Sequence, residues 1–293
     1  MADKPFIEIQ GVKVPTFIYG TAWKENDTTR LTRLAVEAGF RGIDTANQRR
    51  HYFEAGVGEA LAEVFSTGGI GRGDLFLQTK FTSREGQDQR LPYDPGASVE
   101  TQVEQSLASS LQHLRVQYLD SYVLHGPTFR EGLTVQDWEA WRAMEHLHAS
   151  AKTRLIGVSN VTITQLEALY DGALTKPAIV QNRCYASLGW DRSIRQFCKQ
   201  KDILYQGFSL LTANREVMSH PLIKKICVQK NKTAPQVIFR FAQQIGMVTL
   251  TGTTSAKHMN EDLESDKFEL NADEVIAIET LGSESGFFQR NKN

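Results

Sequence analysis

The chain has 293 residues, of which 41% are hydrophobic and 23% are charged, and its formal net charge is -1. This composition is typical of a folded globular protein. The length suits either two average domains or one α/β barrel, which typically has about 250 residues or more. Because basic residues are not in excess, we do not expect nucleic acid or a membrane surface as a partner, and we expect a small molecule instead.

The chain begins with a short alternating pattern around Gly11. Residues 6–10 and 12–14 predict a small β-hairpin. After it, short apolar runs alternate with amphipathic stretches, such as the helical patterns at residues 28–38 and 54–65. Eight runs predict buried parallel strands, at residues 17–20, 42–44, 75–80, 118–125, 155–159, 179–181, 204–208 and 248–251.

Eight strands separated by helices are the number that closes a barrel, whereas an open doubly wound sheet usually has about five or six strands. We therefore predict an α/β fold, a (β/α)₈ TIM barrel with a short N-terminal β-hairpin. No Pro/Gly/Ser-rich linker divides the chain, so residues 1–293 are expected to form one domain. Residues 82–97 are polar and predict a long loop after the third strand.

The cysteines Cys184, Cys198 and Cys227 are odd in number and far apart, which indicates packing rather than a disulfide or a metal site. The sequence contains no motif that predicts a bound metal. The amino terminus does not resemble a signal peptide, and no apolar run reaches the roughly 18 residues of a membrane-spanning helix. We expect a cytoplasmic protein, and the sequence does not indicate its oligomeric state.

Polar side chains end several of the predicted strands, where a barrel would gather them at one mouth. They are Asp44, Lys80, His125, Ser159, Asn160 and Gln181. Each also has a structural interpretation: Asp44 can begin a turn, Asn160 or Thr162 can cap a helix, and His125 can be a hydrogen-bonded core residue.

Lys80 closes an apolar run, so if it is buried it needs a partner, and Asp44 is the natural one. An ion pair beside a phenol would stabilise the phenolate and lower the pKa of that phenol from about 10. A lowered pKa suits a general acid near neutral pH. The candidate phenol is Tyr52.

Several motifs, in this order along the chain, resemble the aldo-keto reductase family. Residues 39–46 and 54–61, preceded by residues 20–23, are similar to its first signature, and the similarity extends from residue 6 to about residue 263. The resemblance implies an NAD(P)H-dependent reductase that converts an aldehyde or ketone to an alcohol. It places the catalytic tetrad on Asp44, Tyr52, Lys80 and His125.

The same resemblance implies a binding site for NADP(H) or NAD(H). Ser159, Asn160 and Gln181 would hold the nicotinamide carboxamide, and Phe208 would stack on the ring. The other expected cofactor-binding residues are Thr21, Asp44, Ser209, Leu211, Thr253, Lys257, His258, Glu261 and Asp262. For Glu261 and Asp262, an equal alternative is a solvated first turn of a helix.

Two departures from the family pattern leave alternatives open. The stretch from Asp44 to Glu54 is two residues longer than the signature, so counting back from Glu54 selects His51 as the acid, whereas residue type selects Tyr52. Gly252 and His258 stand where many members have the Lys and Arg that bind the 2′-phosphate of NADPH. The phosphate would then need other partners, for which the candidates are residues 253–255, Lys257, Asn214 and Arg215.

Two other functions remain possible for such a chain: a cofactor-binding regulatory or assembly subunit with little turnover, and a non-redox lyase or isomerase that uses Lys80. The substrate is not indicated. Residues 82–97, 129–133 and 287–289 are expected to shape its pocket, whereas Trp138 and Trp141 are expected to pack in the core.

Overall fold

The computed structural model describes residues 6–282. The expected pocket segment at residues 287–289 lies outside them. A two-stranded antiparallel hairpin comes first, and eight parallel strands then close into a barrel. The hairpin consists of β1 (Phe6–Ile9) and β2 (Val12–Pro15). The barrel strands are β3 (Phe17–Gly20), β4 (Gly42–Asp44), β5 (Phe76–Phe81), β6 (Leu119–Leu124), β7 (Thr153–Ser159), β8 (Ile179–Arg183), β9 (Leu204–Phe208) and β10 (Met247–Thr251).

The barrel closes where β10 pairs in parallel with β3, with Thr249 opposite Phe17 and Thr251 opposite Tyr19. Every residue of β5, β6 and β10 is buried, because helices cover the outside of the barrel and side chains fill the inside. The predicted TIM barrel with its N-terminal hairpin is therefore confirmed. The predicted strand limits differ from the observed ones by no more than two residues.

Helices follow the barrel strands on the outer layer. They are α1 (Thr28–Ala38), α2 (Glu54–Ser66), α3 (Val99–Leu114), α4 (Val135–Ala149), α5 (Ile163–Gly172), α6 (Arg192–Gln200), α7 (Arg215–Ser219), α8 (Pro221–Lys230), α9 (Ala234–Gln244), α10 (Ala256–Leu263) and α11 (Ala272–Leu281). Of these, α1 has the limits that its periodicity predicts, and it ends at Gly39, whose φ of 115° suits glycine. Thr162 caps α5 by accepting a hydrogen bond from the Gln165 backbone N–H.

Helices α2 and α3 approach each other closely at Gly58. A β-carbon at this position would lie 1.9 Å from the backbone oxygen of His113. Only glycine leaves the space that this contact needs, so the packing of the two helices depends on it.

The hairpin packs on the amino-terminal side of the barrel. Its Val12 and Val14 belong to an apolar cluster with Phe76 and Ile179, which begin β5 and β8. The hairpin therefore covers the end of the barrel that lies away from the carboxyl ends of the strands.

Residues 82–97 contain one short 3₁₀ turn, Arg84–Gly86, and otherwise neither helix nor strand, as expected of a long loop. Trp141 is fully buried and Trp138 packs against the core. The three cysteines are unpaired. Within residues 6–282, no helix has the length and apolarity required to cross a lipid bilayer.

Candidate active site

A cavity of about 920 Å³ opens at the carboxyl ends of the barrel strands. Most of the residues proposed from the sequence line it. They are Asp44, Tyr52, His125, Ser159, Asn160, Gln181, Phe208, Ser209, Leu211, Thr253, Lys257, His258, Glu261 and Asp262. The predicted convergence of strand-end residues on one mouth of the barrel is therefore seen.

Lys80 and Asp44 form a buried ion pair beneath this cavity. Lys80 Nζ donates hydrogen bonds to Asp44 Oδ1 and Oδ2, each at 2.7 Å, and to the backbone oxygen of Thr45 at 2.8 Å. The Lys80 side chain is 1% exposed. Because an ammonium has three N–H groups, these three bonds use its full donor capacity. Burial lowers the pKa of Lys80, and the charge of Asp44 opposes that effect.

Three buried glutamines surround the Asp44 carboxylate inside the barrel. Gln78 Nε2 and Gln181 Nε2 donate to Asp44 Oδ1 at 2.7 and 3.0 Å, and both also donate to Gln206 Oε1. Since both N–H groups of Gln181 are used, its Oε1 is the atom left to accept a hydrogen bond from a ligand. Sequence reasoning missed Gln78 and Gln206, although polar residues inside apolar strands are a usable signal.

Tyr52 and His125 face each other across the cavity wall. Their ring centroids lie 6.0 Å apart at an interplanar angle of 67°, and Lys80 Nζ lies 5.4 Å from the centroid of the Tyr52 ring. A phenol and an imidazole thus meet directly above the ion pair. This pairing gives two hydrogen-bonding groups that can act on one ligand atom.

The lowered pKa expected for Tyr52 is wrong for this structure. Burial raises the pKa of the Tyr52 phenol, and the negative charge of Asp44 raises it further. The physical reason is that burial disfavours the charged phenolate and that the nearby Asp44 carboxylate repels it. Tyr52 therefore keeps its proton at neutral pH.

His125 is neutral at neutral pH. Burial lowers its pKa to about 3, and the positive charges of Lys80 and His51 contribute to this shift. Its Nδ1 lies 2.6 Å from Thr82 Oγ1. The core-histidine and functional interpretations are thus compatible, because the ring is hydrogen-bonded on one side and lines the cavity on the other.

His51, the alternative acid, also lines the cavity but has different neighbours. Its ring stacks on Trp23, with centroids 4.0 Å apart, and Trp23 is 70% exposed. In the turn that precedes Glu54, the backbone N–H groups of His51 and Tyr52 both donate to Gln48 O. This turn presents both side chains to the cavity, while Tyr52 is the one above Lys80.

Ser159 is the last residue of β7, and Asn160 follows it directly. Ser159 Oγ donates to Gln181 O at 2.6 Å, and Asn160 Nδ2 donates to the backbone oxygen of His125 at 2.8 Å. Asn160 has a φ of 54°, a left-handed conformation that asparagine tolerates. It does not cap α5, since Thr162 does.

Thr21 is the one expected cofactor-binding residue that does not line the cavity. It is fully buried, and its Oγ1 and backbone N–H both donate to the backbone oxygen of Asp44 at 3.0 Å. Its contact is therefore with the strand that carries Asp44.

The far end of the cavity is formed by the segment after β10. Ser255 caps α10, so Glu261 and Asp262 lie in its last turn, and the alternative of a solvated first turn is wrong. Asp262 Oδ2 accepts a hydrogen bond from Thr251 Oγ1 at 2.8 Å. Lys257 lies 3.6 Å from Glu261 and is largely exposed.

The alternative phosphate partners after β9 do not reach the cavity. The Asn214 side chain accepts from Ala186 N and donates to Cys184 O and Leu210 O, which commits it to holding the loops together. Arg215 begins α7 and is not among the cavity-lining residues. Of the sequence candidates, those between residues 253 and 258 are the ones near the cavity.

Sequence reasoning missed part of the wall. Thr233 caps α9, Pro235 and Phe239 belong to that helix, and Arg183 ends β8. Arg183 could have been predicted, because it ends a strand as the other proposed residues do. The α9 residues could not, because they precede the last strand rather than follow it.

Comparison with known proteins places these observations in a family. Residues 16–282 match the model of the aldo/keto reductase family. The chain is 33% identical over 274 residues to an uncharacterized oxidoreductase, YtbE, of Bacillus subtilis, covering 92% of this chain and 90% of that protein. It is 29% identical to the glyoxal reductase of the same organism, covering 94% of this chain and 91% of that protein.

Solved structures give the same result. The crystal structure of an aldo/keto reductase from Brucella melitensis has a TM-score of 0.80 and 26% identity, with 95% of this chain and 100% of that chain covered. The fold also resembles that of a Bombyx mori aldo-keto reductase in complex with NADP, with a TM-score of 0.81 and 22% identity, covering 96% of this chain and 93% of that chain. The chain therefore belongs to the aldo/keto reductase family, which is a family of oxidoreductases that use NADP(H) or NAD(H).

Proposed function

We propose that this chain reduces an aldehyde or ketone to an alcohol, taking the hydride from C4 of the reduced nicotinamide and the proton from Tyr52. The observation that carries the proposal is the meeting of the Tyr52 and His125 rings above the buried Lys80–Asp44 pair. A carbonyl oxygen between a phenol and a neutral imidazole would receive two hydrogen bonds as negative charge develops on it.

The donor and acceptor set of the cavity fits a nicotinamide dinucleotide. Gln181 Oε1 and Asn160 Oδ1 have no hydrogen-bond partner within residues 6–282, and both residues line the cavity, so both oxygens can accept from a carboxamide. Phe208 offers an aromatic face, and Ser209 and Leu211 continue the wall beside it. Lys257 and His258 supply positive or hydrogen-bonding groups at the other end.

The roles of the four tetrad residues follow from their contacts. Tyr52 keeps its proton until the substrate oxygen becomes negative, and then donates it. His125 polarises the same oxygen by a hydrogen bond. Lys80 acts through its charge beneath the Tyr52 ring, and Asp44 holds Lys80 in place. Glu261 and Asp262 are proposed to face the adenine side, which is supported by their place on the cavity wall.

The alternative of a lyase or isomerase that uses Lys80 as a nucleophile finds no support in its surroundings. A lysine that forms a Schiff base needs a free amine exposed to the substrate, whereas Lys80 is 1% exposed and donates three hydrogen bonds.

We further propose that residues 1–293 act as one domain and that the protein is cytoplasmic. The unpaired cysteines support the second point.

The test follows the absorbance of NADPH and of NADH in separate reactions with a panel of carbonyl compounds. The panel includes glyoxal, because one relative is a glyoxal reductase. Tyr52→Phe should lower kcat by about 100-fold or more, since general acid catalysis is lost, while cofactor affinity measured by fluorescence stays unchanged.

His51→Gln is the matched variant for the alternative acid. It should retain turnover within about threefold, because its ring packs on Trp23 rather than over Lys80. Normal turnover in Tyr52→Phe together with loss in His51→Gln would assign the acid to His51. Cofactor binding without oxidation of NADPH or NADH by any carbonyl compound of the panel would favour the regulatory-subunit function.

A further inference from the structure

His125 and Thr82 share one hydrogen bond that the reaction outlined above does not explain. Thr82 Oγ1 and His125 Nδ1 lie 2.6 Å apart. Thr82 is 4% exposed, and its hydroxyl has no other hydrogen-bond partner within residues 6–282. His125 Nε2 has no partner within the same residues, and the ring lines the cavity.

Hydrogen-bond accounting decides which atom donates. A neutral imidazole carries one N–H, on either Nδ1 or Nε2. If Nδ1 carried it, the Thr82 hydroxyl hydrogen would be left inside the protein without an acceptor, which is costly. If Nε2 carries it, Thr82 donates to the bare Nδ1 and both groups are satisfied.

The geometry points to Thr82 as the positioning residue that holds His125 in the tautomer with its proton on Nε2, facing the cavity. In this form the imidazole is a hydrogen-bond donor toward a substrate oxygen. In the other form it would present a lone pair and repel that oxygen. The inference rests on the proposed reductase function for its purpose, but the tautomer itself is a property of the protein alone.

Thr82 is itself fixed by its loop. Its backbone oxygen accepts hydrogen bonds from Tyr93 Oη at 2.9 Å and from Gln87 Nε2 at 3.3 Å. Its methyl carbon occupies the space beside Gly86, where a β-carbon would approach it to 2.6 Å. The hydroxyl therefore has little freedom to turn away from His125.

The decisive experiment uses the full chain labelled with ¹⁵N-histidine, without cofactor or substrate, at neutral pH. Long-range ¹H–¹⁵N spectra distinguish a protonated ring nitrogen from a bare one, and a His125→Gln sample identifies the signals of this ring among the seven histidines. The wild type should show Nε2 protonated and Nδ1 bare. Thr82→Val, which replaces the hydroxyl by a methyl, should shift the population toward Nδ1–H, and Thr82→Ser should restore the wild-type spectrum.

Kinetics adds a second measurement. In Thr82→Val we expect kcat to fall by about tenfold or more, with cofactor affinity and melting temperature close to wild type, and Thr82→Ser should recover most of kcat. A wild-type spectrum with Nδ1 protonated, or a Thr82→Val variant with unchanged spectrum and kcat, would overturn the inference. If no substrate is reduced by the wild type, the reductase proposal fails while the spectra still test the tautomer.

Discussion

Asp262 is 3% exposed on the wall of the cavity, and its carboxylate accepts a hydrogen bond from Thr251. Burial raises the pKa of Asp262 from 3.8 to about 6, although the Thr251 hydroxyl and His258 act in the opposite direction. The native state therefore holds the Asp262 proton more tightly than the unfolded chain does. The contribution of this group to stability is present in full below pH 3.8 and is lost as the pH rises through about 6.

We predict that Asp262→Asn removes this dependence. The free energy of unfolding of the wild type, relative to that of the variant, should fall by about 2 kcal/mol between pH 4 and pH 7.5, measured by urea unfolding without cofactor. Asp171→Asn, at an exposed position, serves as the control and should leave the pH dependence unaltered. An equal pH dependence in the wild type and Asp262→Asn would contradict the assigned shift.

Some residue properties were predictable from the sequence and others were not. The positions of Asp44, Lys80 and His125 could be predicted, because each residue ends an apolar run and the carboxyl ends of barrel strands lie together at one mouth. The raised pKa of Tyr52 could not be predicted, because it depends on how deeply the phenol is buried and on its distance from the Asp44 carboxylate, which the sequence does not give.

The importance of Gly58 for the contact of α2 with α3 can be measured by replacing it. Replacing a helical glycine by alanine normally stabilises a helix by about 1 kcal/mol. At Gly58 the new methyl would meet the backbone of His113 at 1.9 Å, and backbone cannot move aside as a side chain can. We therefore predict that Gly58→Ala lowers the free energy of unfolding by about 1–3 kcal/mol, measured by chemical denaturation.

Gly69→Ala is the matched control for this change. A β-carbon at Gly69 would meet nothing within 4 Å, and its φ is not positive, so the variant should unfold like the wild type. A stable Gly58→Ala protein would mean that the two helices can separate without loss.

The limits of a helix could be predicted from the sequence where one physical signal was dominant. The limits of α1 were predicted because its apolar residues repeat at helical spacing and Gly39 ends it. The placement of Glu261 and Asp262 in the last turn of α10 was not predicted, since acidic residues also suit a first turn. The start of the helix is fixed by its cap, in which the His258 backbone N–H donates to Ser255 Oγ.

At the scale of the whole molecule, the net charge of -1 gives no long-range attraction for an anionic cofactor. Binding must then depend on local groups, and Lys257 is an exposed cation on the cavity wall, adjacent in sequence to His258. We predict that Lys257→Met raises the Kd for NADPH by about threefold to tenfold and changes the Kd for NADH by less than about twofold.

Lys267→Met controls for the loss of a surface charge. Lys267 forms a comparable exposed pair, 3.2 Å from Glu264, and does not line the cavity. It should affect neither cofactor. Equal losses for NADPH and NADH in Lys257→Met would indicate contact with the shared part of the cofactor, and no loss would leave His258 and residues 253–255 as the phosphate partners.

The closure of the barrel by β3 and β10 has a consequence for synthesis on the ribosome. Tyr19 Oη donates to Thr253 O across 234 residues of sequence, and β3 obtains its second neighbour only from β10. The nascent chain therefore carries an open sheet, with unpaired edges at both ends, until β10 has been translated and pairs with β3. Before β10 emerges, apolar strand surfaces that the closed barrel buries stay exposed, so chaperones that protect nascent chains should raise the yield of folded protein.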